Sequence, residues 1–216
     1  MQVKSFIGGF DKNLCYLIWC KKTRLASIID PSVEPLEIFE FIESKNLILE
    51  KILITHTHHD HTSYLDDFIY KYPLINIYCH ANPINDFKKS FIALEHNQVI
   101  SIGNFLLTTL YTPGHFPDSV CYWSKEHKFI FTGDTVFIGR TGRTVSKGSN
   151  IKELYNRVYK IILNLPHETT IFSGHHYGFS RYESILFNIK NSSFFQCNNF
   201  DEFVKVMRNF EKNRKK

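Results

Sequence analysis

The stretch of this sequence best suited to chemistry is an eight-residue segment rich in histidine. It spans residues 55–62, reads THTHHDHT, and directly follows the apolar run at residues 52–54. That run is typical of a β-strand, so the polar segment begins where the strand ends. Imidazole nitrogens and a carboxylate gathered at one point are ligands that zinc and iron bind in proteins.

The spacing within the segment predicts two metal ions. His56 and His58 are two positions apart, so on an extended chain their side chains point to the same side. Asp60 and His61 lie further along and are placed to serve a second ion. Histidine-rich tracts in polar linkers bind metal only adventitiously. Here a buried-type strand precedes the segment and a helical pattern follows it at residues 63–71, which favours a built site.

Three later strand-like runs also end in a residue that can bind metal. In each, a glycine comes immediately before the candidate ligand, and the pairs are Gly114-His115, Gly133-Asp134 and Gly174-His175. Glycine permits a tight turn and a close approach of the backbone. Any one of these pairs alone is most often an ordinary turn. Together with the histidine segment they supply seven donors, enough for two metals that share one carboxylate.

The elements that must position these donors follow from hydrophobic periodicity and turn residues. We predict strands at residues 3–7, 13–20, 24–29, 47–54, 75–79, 98–102, 105–111, 120–124, 129–132 and 169–172, and helices at 34–44, 63–71, 82–91, 151–163, 181–190 and 201–214. Two β-rich halves with helices beside them favour the α/β class and a four-layer αββα sandwich. The ligands would come from loops at one edge, between the two sheets.

Composition restricts the class of protein. With 216 residues, 43% of them hydrophobic, we expect one domain over residues 1–216. Five cysteines without a CxxC pair indicate a reducing compartment. We expect a soluble, cytoplasmic protein, since the N-terminus is too short and polar for a signal peptide and no apolar run could span a membrane. The positive residues behind the net charge of +5 are dispersed, apart from the tail at residues 205–216. Near the motifs the sequence has no basic stripe interleaved with aromatic residues, so we expect no nucleic-acid partner.

Taken in order, the motifs resemble those of a known superfamily. His56-Thr-His58-His-Asp60-His61, Thr112-Pro-Gly-His115, Gly133-Asp134-Thr135 and Gly174-His175 match the ligand motifs of the metallo-β-lactamase-fold hydrolases. With Gly139-x-x-Gly142-Arg143, the first motif looks most like the short glyoxalase II proteins, the hydroxyacylglutathione hydrolases. The resemblance extends from about Asn13 to about Phe203 and implies the αββα fold of that superfamily.

The resemblance also implies a role for each donor. It assigns the first metal to His56, His58 and His115, the second metal to Asp60, His61 and His175, and the bridging position to Asp134. Asp60 and Asp134 are therefore the expected catalytic carboxylates. The cofactors would be two divalent ions, with zinc favoured and iron or manganese as alternatives. His59 and His176 fall on positions that the family does not use as ligands.

The implied reaction is the hydrolysis of a small-molecule thioester, S-D-lactoylglutathione or a related glutathione thioester. Two divalent ions make a shared hydroxide available near neutral pH, because metals lower the pKa of bound water from 15.7 toward roughly 7. By the resemblance, Arg143 and Tyr177 bind glutathione. The sequence departs from the family in having Val145 in place of a tyrosine and Phe116-Pro117-Asp118 in place of a glycine-bearing turn. We also expect no long C-terminal helical domain.

Other activities share these motifs. A persulfide dioxygenase of the same fold would use a single iron on His56, His115 and Asp134, and it resembles this chain in the Gly142-Arg143-Thr144 run. Lactonase, nuclease and lactamase activities also occur in the superfamily. A purely structural metal is disfavoured because structural zinc sites are closed and rich in cysteine.

Overall fold

Two six-stranded β-sheets form the centre of the structure, a computed structural model that describes residues 1–84 and 87–214. The strands are β1 (Gln2–Gly8), β2 (Asn13–Trp19), β3 (Leu25–Ile29), β4 (Ile48–Leu53), β5 (Asn76–His80), β6 (Ile92–Leu94), β7 (Val99–Ile102), β8 (Phe105–Tyr111), β9 (Val120–Ser124), β10 (Phe129–Gly133), β11 (Val136–Phe137), β12 (Arg140–Thr141), β13 (Thr170–Ser173) and β14 (Tyr182–Ser184). The helices are α1 (Leu36–Ser44), α2 (His59–Thr62), α3 (Leu65–Lys71), α4 (Ile151–Lys160), α5 (Ile185–Asn191) and α6 (Phe200–Asn213).

The first sheet has the strand order β1-β2-β3-β4-β5-β6 and the second has the order β14-β13-β10-β9-β8-β7. In the first sheet β1, β2 and β3 pair antiparallel, whereas β3 to β6 run parallel. In the second sheet only the β10–β13 pair is parallel. Strands β11 and β12 form a separate two-stranded ribbon.

Three apolar layers confirm the predicted αββα sandwich. The first layer lies between α1, α3 and the first sheet, the second between the two sheets, and the third between the second sheet and α4 and α6. Strand β2 shows why its sequence is apolar throughout. Leu17 belongs to the first layer and the adjacent Ile18 to the second, because successive side chains of a strand point to opposite faces.

The long helices begin where their sequences supply caps. The side chain of Asn150 accepts hydrogen bonds from the backbone N–H groups of Lys152 and Glu153 at the start of α4. Asn199 accepts one from the N–H of Glu202 at the start of α6. These bonds satisfy N–H groups that have no partner within the helix. Among residues 1–84 and 87–214, no helix has the length and apolar character needed to cross a membrane.

Two of the predicted helices are wrong in part. The helix predicted at 82–91 is not helical in its described residues, and residues 85 and 86 lie outside the described ranges. The N–H of Ile84 instead donates to the buried carboxylate of Asp118, 3.0 Å away, which holds this segment against the second sheet's loops. Strand β6 follows and buries Leu94 between the sheets.

The helix predicted at 181–190 begins later, because Tyr182 pairs with Phe172 as part of β14 and α5 starts only at Ile185. The side chain of Ser184 caps that helix by accepting from the N–H of Phe187. The β11–β12 ribbon was not predicted, since two strands of two residues each leave no periodic pattern. All five cysteines are buried and free of disulfides.

Candidate metal centre

The histidine segment changes conformation halfway along, and the change separates its donors. His56 and His58 lie on extended chain after β4, whereas Asp60 and His61 lie on the single turn of α2. The turn brings Asp60 and His61 to a different side from the first two histidines, as expected from their spacing. His59 is exposed and belongs to none of the donor groups described below.

Three imidazoles converge in the first donor group. His58 Nδ1 lies 2.9 Å from His56 Nε2 and 3.1 Å from His115 Nε2. One nitrogen facing two others at this distance is the arrangement of ligands around a shared cation. This is the group predicted for the first metal.

The second donor group combines one carboxylate with two imidazoles. His175 Nε2 lies 3.3 Å from His61 Nε2 and 3.3 Å from Asp60 Oδ2. His61 Nε2 and Asp60 Oδ2 are 3.8 Å apart. The three residues are those predicted for the second metal, and they come from α2 and from the end of β13.

Asp134 lies between the two groups. Its Oδ1 is 3.2 Å from His61 Nε2 and 3.4 Å from His175 Nε2, and its Oδ2 is 3.5 Å from His115 Nε2. Oδ1 is buried, yet it has no hydrogen bond among the described residues. A buried carboxylate oxygen without a hydrogen bond is costly unless a cation balances it. The donor set therefore fits two divalent ions with Asp134 between them.

Outer contacts orient the histidine rings. The Nδ1–H of His115 donates to the carbonyl oxygen of Arg143 at 2.8 Å, and that of His175 to the carbonyl oxygen of Asp11 at 2.9 Å. The Nδ1–H of His61 donates to Asp30 Oδ2 at 2.8 Å. Because Nδ1–H is engaged in each ring, Nε2 is the nitrogen left to bind a metal once it carries no proton.

Two residues that support the donors, Asp30 and Asn13, were not predicted as site residues from the sequence. Asp30 accepts hydrogen bonds from the backbone N–H and the hydroxyl of Thr55, both at 2.7 Å, and so ties the histidine segment to the end of β3. Asn13 donates to Asp60 Oδ2 at 2.9 Å. A signal for Asp30 was present, since it is a polar residue that ends an apolar strand like the recognised ligands do.

Glycine is required beside the ligands for reasons of space and backbone conformation. A Cβ at Gly174 would collide with Asp134 Oδ1 and with the ring of His61. Gly133 has a φ of +47°, in the left-handed region, and faces the side chain of Thr55. The predicted role of the glycines as points of close approach is therefore confirmed at these two positions.

Electrostatics distinguish the two donor groups. Burial is the main influence on the first group, and it lowers the pKa of His58 to about 4 and the pKa values of His56 and His115 below their ordinary value. These three rings are therefore neutral at pH 7, the state in which imidazole binds a metal.

In the second group, neighbouring carboxylates raise the histidine pKa values more than burial lowers them. Burial alone would lower the pKa of His175, but the charge of Asp134 and the hydrogen bonds to Asp134 and Asp60 together outweigh it and raise that pKa to about 9. His61 behaves in the same way between Asp134 and Asp30, and its pKa lies well above the usual range. Burial would raise the pKa of Asp134, yet the charges of His175 and His61 hold it well below the ordinary value.

Four of the seven donors, Asp60, His115, Asp134 and His175, line a cleft of about 160 Å³. Both residues implied in substrate binding, Arg143 and Tyr177, line the same cleft. Arg143 is paired with Glu211 of α6, with Nε and one terminal nitrogen at 2.6 and 2.7 Å from the carboxylate oxygens. The hydroxyl of Tyr177 donates to Asp11 at 2.6 Å, and its ring stacks on His175 with centroids 4.9 Å apart. The role of Arg143 and Tyr177 in binding stays a prediction.

The fold and the donor set together define the family. The model of the metallo-beta-lactamase superfamily matches residues 8–175, and the chain belongs to that superfamily. The similarity supports metal-dependent hydrolysis as the general class of activity.

Two relatives and one solved structure are similar to this chain over most of its length. The chain is 30% identical over 206 residues to the probable polyketide biosynthesis zinc-dependent hydrolase BaeB of Bacillus velezensis, covering 94% of this chain and 90% of that protein. It is 32% identical over 197 residues to a hydroxyacylglutathione hydrolase of Francisella tularensis subsp. novicida, covering 90% and 75%. The crystal structure of ETHE1 from Myxococcus xanthus superposes with a TM-score of 0.87 at 24% identity over 100% of this chain and 93% of that one, which shows the shared fold.

Proposed function

We propose that this protein is a dinuclear, zinc-dependent thioester hydrolase, acting on a glutathione thioester such as S-D-lactoylglutathione or on a closely related thioester. One observation carries the proposal: six of the seven donors form two groups of three, and the two oxygens of the seventh, Asp134, reach toward both groups. A structural zinc site would be closed and rich in cysteine, whereas all five cysteines of this chain lie outside the donor groups.

When bound, two divalent ions lower the pKa of a water shared between them and polarise the scissile carbonyl. The side chains supply the geometry. His61, His115 and His175 keep their Nε2 lone pairs aimed at the centre because their Nδ1–H groups are held by Asp30 and by backbone carbonyls. Asp134 stays ionised in its buried position and balances the cationic charge.

The thioester linkage is supported by the chemistry of the leaving group. A thiolate departs without strong acid assistance, so the cleft needs no protonated acid beside the scissile bond. One relative at 32% identity is named a hydroxyacylglutathione hydrolase, which supports glutathione as the thiol. At about 160 Å³ the cleft is smaller than pockets that enclose a drug-sized ligand, so the acyl end enters and the thiol half lies across the rim.

The alternative is a persulfide dioxygenase with one iron held by His56, His115 and Asp134. These residues also lie together here, since His115 Nε2 is 3.5 Å from Asp134 Oδ2. His56 belongs to the first donor group with His115, and one of its ring nitrogens lies within 4.8 Å of a carboxylate oxygen of Asp134. Such an enzyme would leave Asp60 and His61 without a metal to bind. The number of bound ions therefore separates the two functions.

The test combines metal counting with two assays on one purified sample. We expect close to two zinc equivalents per chain, hydrolysis of S-lactoylglutathione, and no oxygen uptake with glutathione persulfide. One iron per chain with persulfide-dependent oxygen uptake and no thioester hydrolysis would establish the alternative instead. Two metals without hydrolysis of any thioester would reject the thioester and retain the dinuclear centre.

A further inference from the structure

The rim of the cleft carries an arginine that the sequence motifs did not single out. Arg140 begins β12, and the centre of its guanidinium lies 4.0 Å from the ring centroid of Tyr177 and 4.8 Å from that of Phe210. The two aromatic rings hold the planar guanidinium in a defined place and leave its N–H donors available. Arg140 lines the same cleft as Asp134 and His175.

Arg140 has no carboxylate partner. Within residues 1–84 and 87–214 its side chain makes no hydrogen bond and no ion pair, and its Nε is buried. The nearby acidic side chains are already engaged, because Asp11 accepts from Tyr177 and Glu211 is paired with Arg143. Asp60 and Asp134, which also line the cleft, belong to the donor set. A partly buried guanidinium with unused donors is costly to leave unpaired, and a ligand anion would supply what is missing.

The neighbouring arginine is in the opposite situation. Arg143 already forms a two-point ion pair with Glu211, so it would have to break that pair to offer both donors to a substrate. Arg214 also lines the cleft, makes no ion pair within residues 1–84 and 87–214, and lies close enough for its charge to act on Arg140. Arg140 and Arg214 therefore add positive charge to the cleft beside Arg143, whose own guanidinium is already engaged by Glu211.

We propose that Arg140 forms an anion subsite that binds a carboxylate or phosphate on the thiol half of the substrate. This inference rests on the proposed thioesterase function, and it departs from the expectation that Arg143 is the principal cation. The planar fork of arginine binds either oxyanion through two parallel hydrogen bonds. Two thiols carry such a group on the same molecule: glutathione has carboxylates, and 4′-phosphopantetheine has a phosphate.

The first experiment compares thioesters of one acyl group on four thiols: glutathione, glutathione dimethyl ester, 4′-phosphopantetheine and neutral N-acetylcysteamine. In Arg140→Gln, the preference in kcat/KM for the charged thioester over its neutral counterpart should fall at least about ten-fold, mainly through KM. Arg140→Lys should keep part of the preference. Arg208→Gln, which removes an exposed arginine on α6, is the matched control and should keep all of it.

The second experiment does not depend on turnover. Binding of the unreactive thioethers S-methylglutathione and S-methyl-4′-phosphopantetheine to the zinc-loaded protein is measured by calorimetry, with wild type, Arg140→Gln, Arg143→Gln and Arg208→Gln. We expect Arg140→Gln to weaken binding at least about ten-fold and Arg143→Gln about two-fold or less. The thioether that binds more tightly identifies carboxylate or phosphate as the natural anion.

Failure of this inference is distinguishable from failure of the proposed function. If wild type hydrolyses no thioester, yet Arg140→Gln abolishes thioether binding, the subsite stands and the reaction is wrong. If thioesters are hydrolysed and Arg140→Gln leaves both the charge preference and thioether binding unchanged, the subsite is wrong. A larger loss in Arg143→Gln than in Arg140→Gln would also overturn it and return the role to Arg143.

Discussion

Asp60 and Asp134 lie among the same histidines but contact different numbers of donor groups. Asp60 Oδ2 contacts only the second donor group and is held there by Asn13, whereas the two oxygens of Asp134 face both groups. Loss of Asp134 would therefore disturb both metals, and loss of Asp60 only one. The difference makes Asp60 the better probe of whether a second metal takes part in the reaction.

Asp60→Ala is predicted to lower thioester hydrolysis by about 100-fold or more, because a water activated by two cations loses one of them. Metal content should fall toward one equivalent per chain. The measurement is S-lactoylglutathione hydrolysis with bound metal counted in the same sample, and Asp67→Ala, an exposed carboxylate on α3, is the control. Full hydrolytic activity in Asp60→Ala would contradict a dinuclear mechanism.

At the scale of elements, tyrosine hydroxyls join the two sheets just before the ligand loops. Tyr122 of β9 donates to the carbonyl oxygen of Ile54, the residue before the histidine segment, at 2.6 Å. Tyr16 of β2 donates to the carbonyl oxygen of Ser173, just before Gly174, at 2.7 Å. Each bond crosses the apolar layer between the sheets, where a buried polar group must find a partner. The pair thus sets the relative position of two ligand loops.

Tyr122→Phe is predicted to destabilise the metal-free protein by about 1–3 kcal/mol, since the buried carbonyl of Ile54 loses this donor. Urea unfolding in the presence of chelator measures the change. Tyr70→Phe is the matched control, because the Tyr70 side chain is 92% exposed, and it should change stability by less than about 0.5 kcal/mol. Equal stability of the two variants would show that the hydroxyl of Tyr122 does not hold the sheets together.

At the scale of the whole molecule, the histidines of the metal centre make the free energy of unfolding depend on pH. His58 has a pKa of about 4 and His175 a pKa of about 9 in the metal-free fold, on either side of the ordinary histidine value of about 6.5. The first residue favours folding when neutral and the second when protonated. Their contributions therefore have opposite dependence on pH.

The metal-free protein is predicted to be most stable near pH 6.5. Stabilisation from the raised pKa of His175 is present below about 6.5 and is lost as the pH rises toward 9. Stabilisation from the lowered pKa of His58 is present above about 6.5 and is lost as the pH falls toward 4. Urea unfolding in chelator at pH 5, 6.5 and 9 measures this, with a decrease on the order of 1–3 kcal/mol expected on each side. Stability that rises steadily from pH 6.5 to 9 would contradict it.

Zinc is predicted to raise the melting temperature, and the increase should grow from pH 6.5 to pH 9. Binding to the folded state alone stabilises it by mass action. His61 and His175 must lose protons to bind, since both pKa values are raised in the metal-free fold, so affinity rises as the pH approaches 9. Thermal unfolding with and without zinc at several pH values measures the shift. An increase that shrinks toward pH 9 would be the opposite result.

The sequence by itself determined the candidate donors and the layered architecture. Candidate ligands such as His56, Asp134 and His175 stand in short sequence motifs. Each motif directly follows the apolar run of a strand, so both features are visible within a few neighbouring residues. Hydrophobic periodicity was sufficient for most strands and for α1, α4 and α6, because burial of one face recurs at a fixed spacing. The family followed from the order of the same motifs. The single domain over residues 1–216 and the cytoplasmic location stay predictions.

Only the tertiary structure decided which side chains hold the candidate donors and which arginine of the cleft is engaged in an ion pair. Arg143 pairs with Glu211 at a sequence separation of 68 residues, and His61 pairs with Asp30 at a separation of 31. Such contacts leave no periodic pattern, because they depend on how distant elements pack and not on the spacing within one element. The same packing engages Arg143 and leaves Arg140 over the aromatic ring of Tyr177, a distinction that two arginines three positions apart could not reveal in sequence.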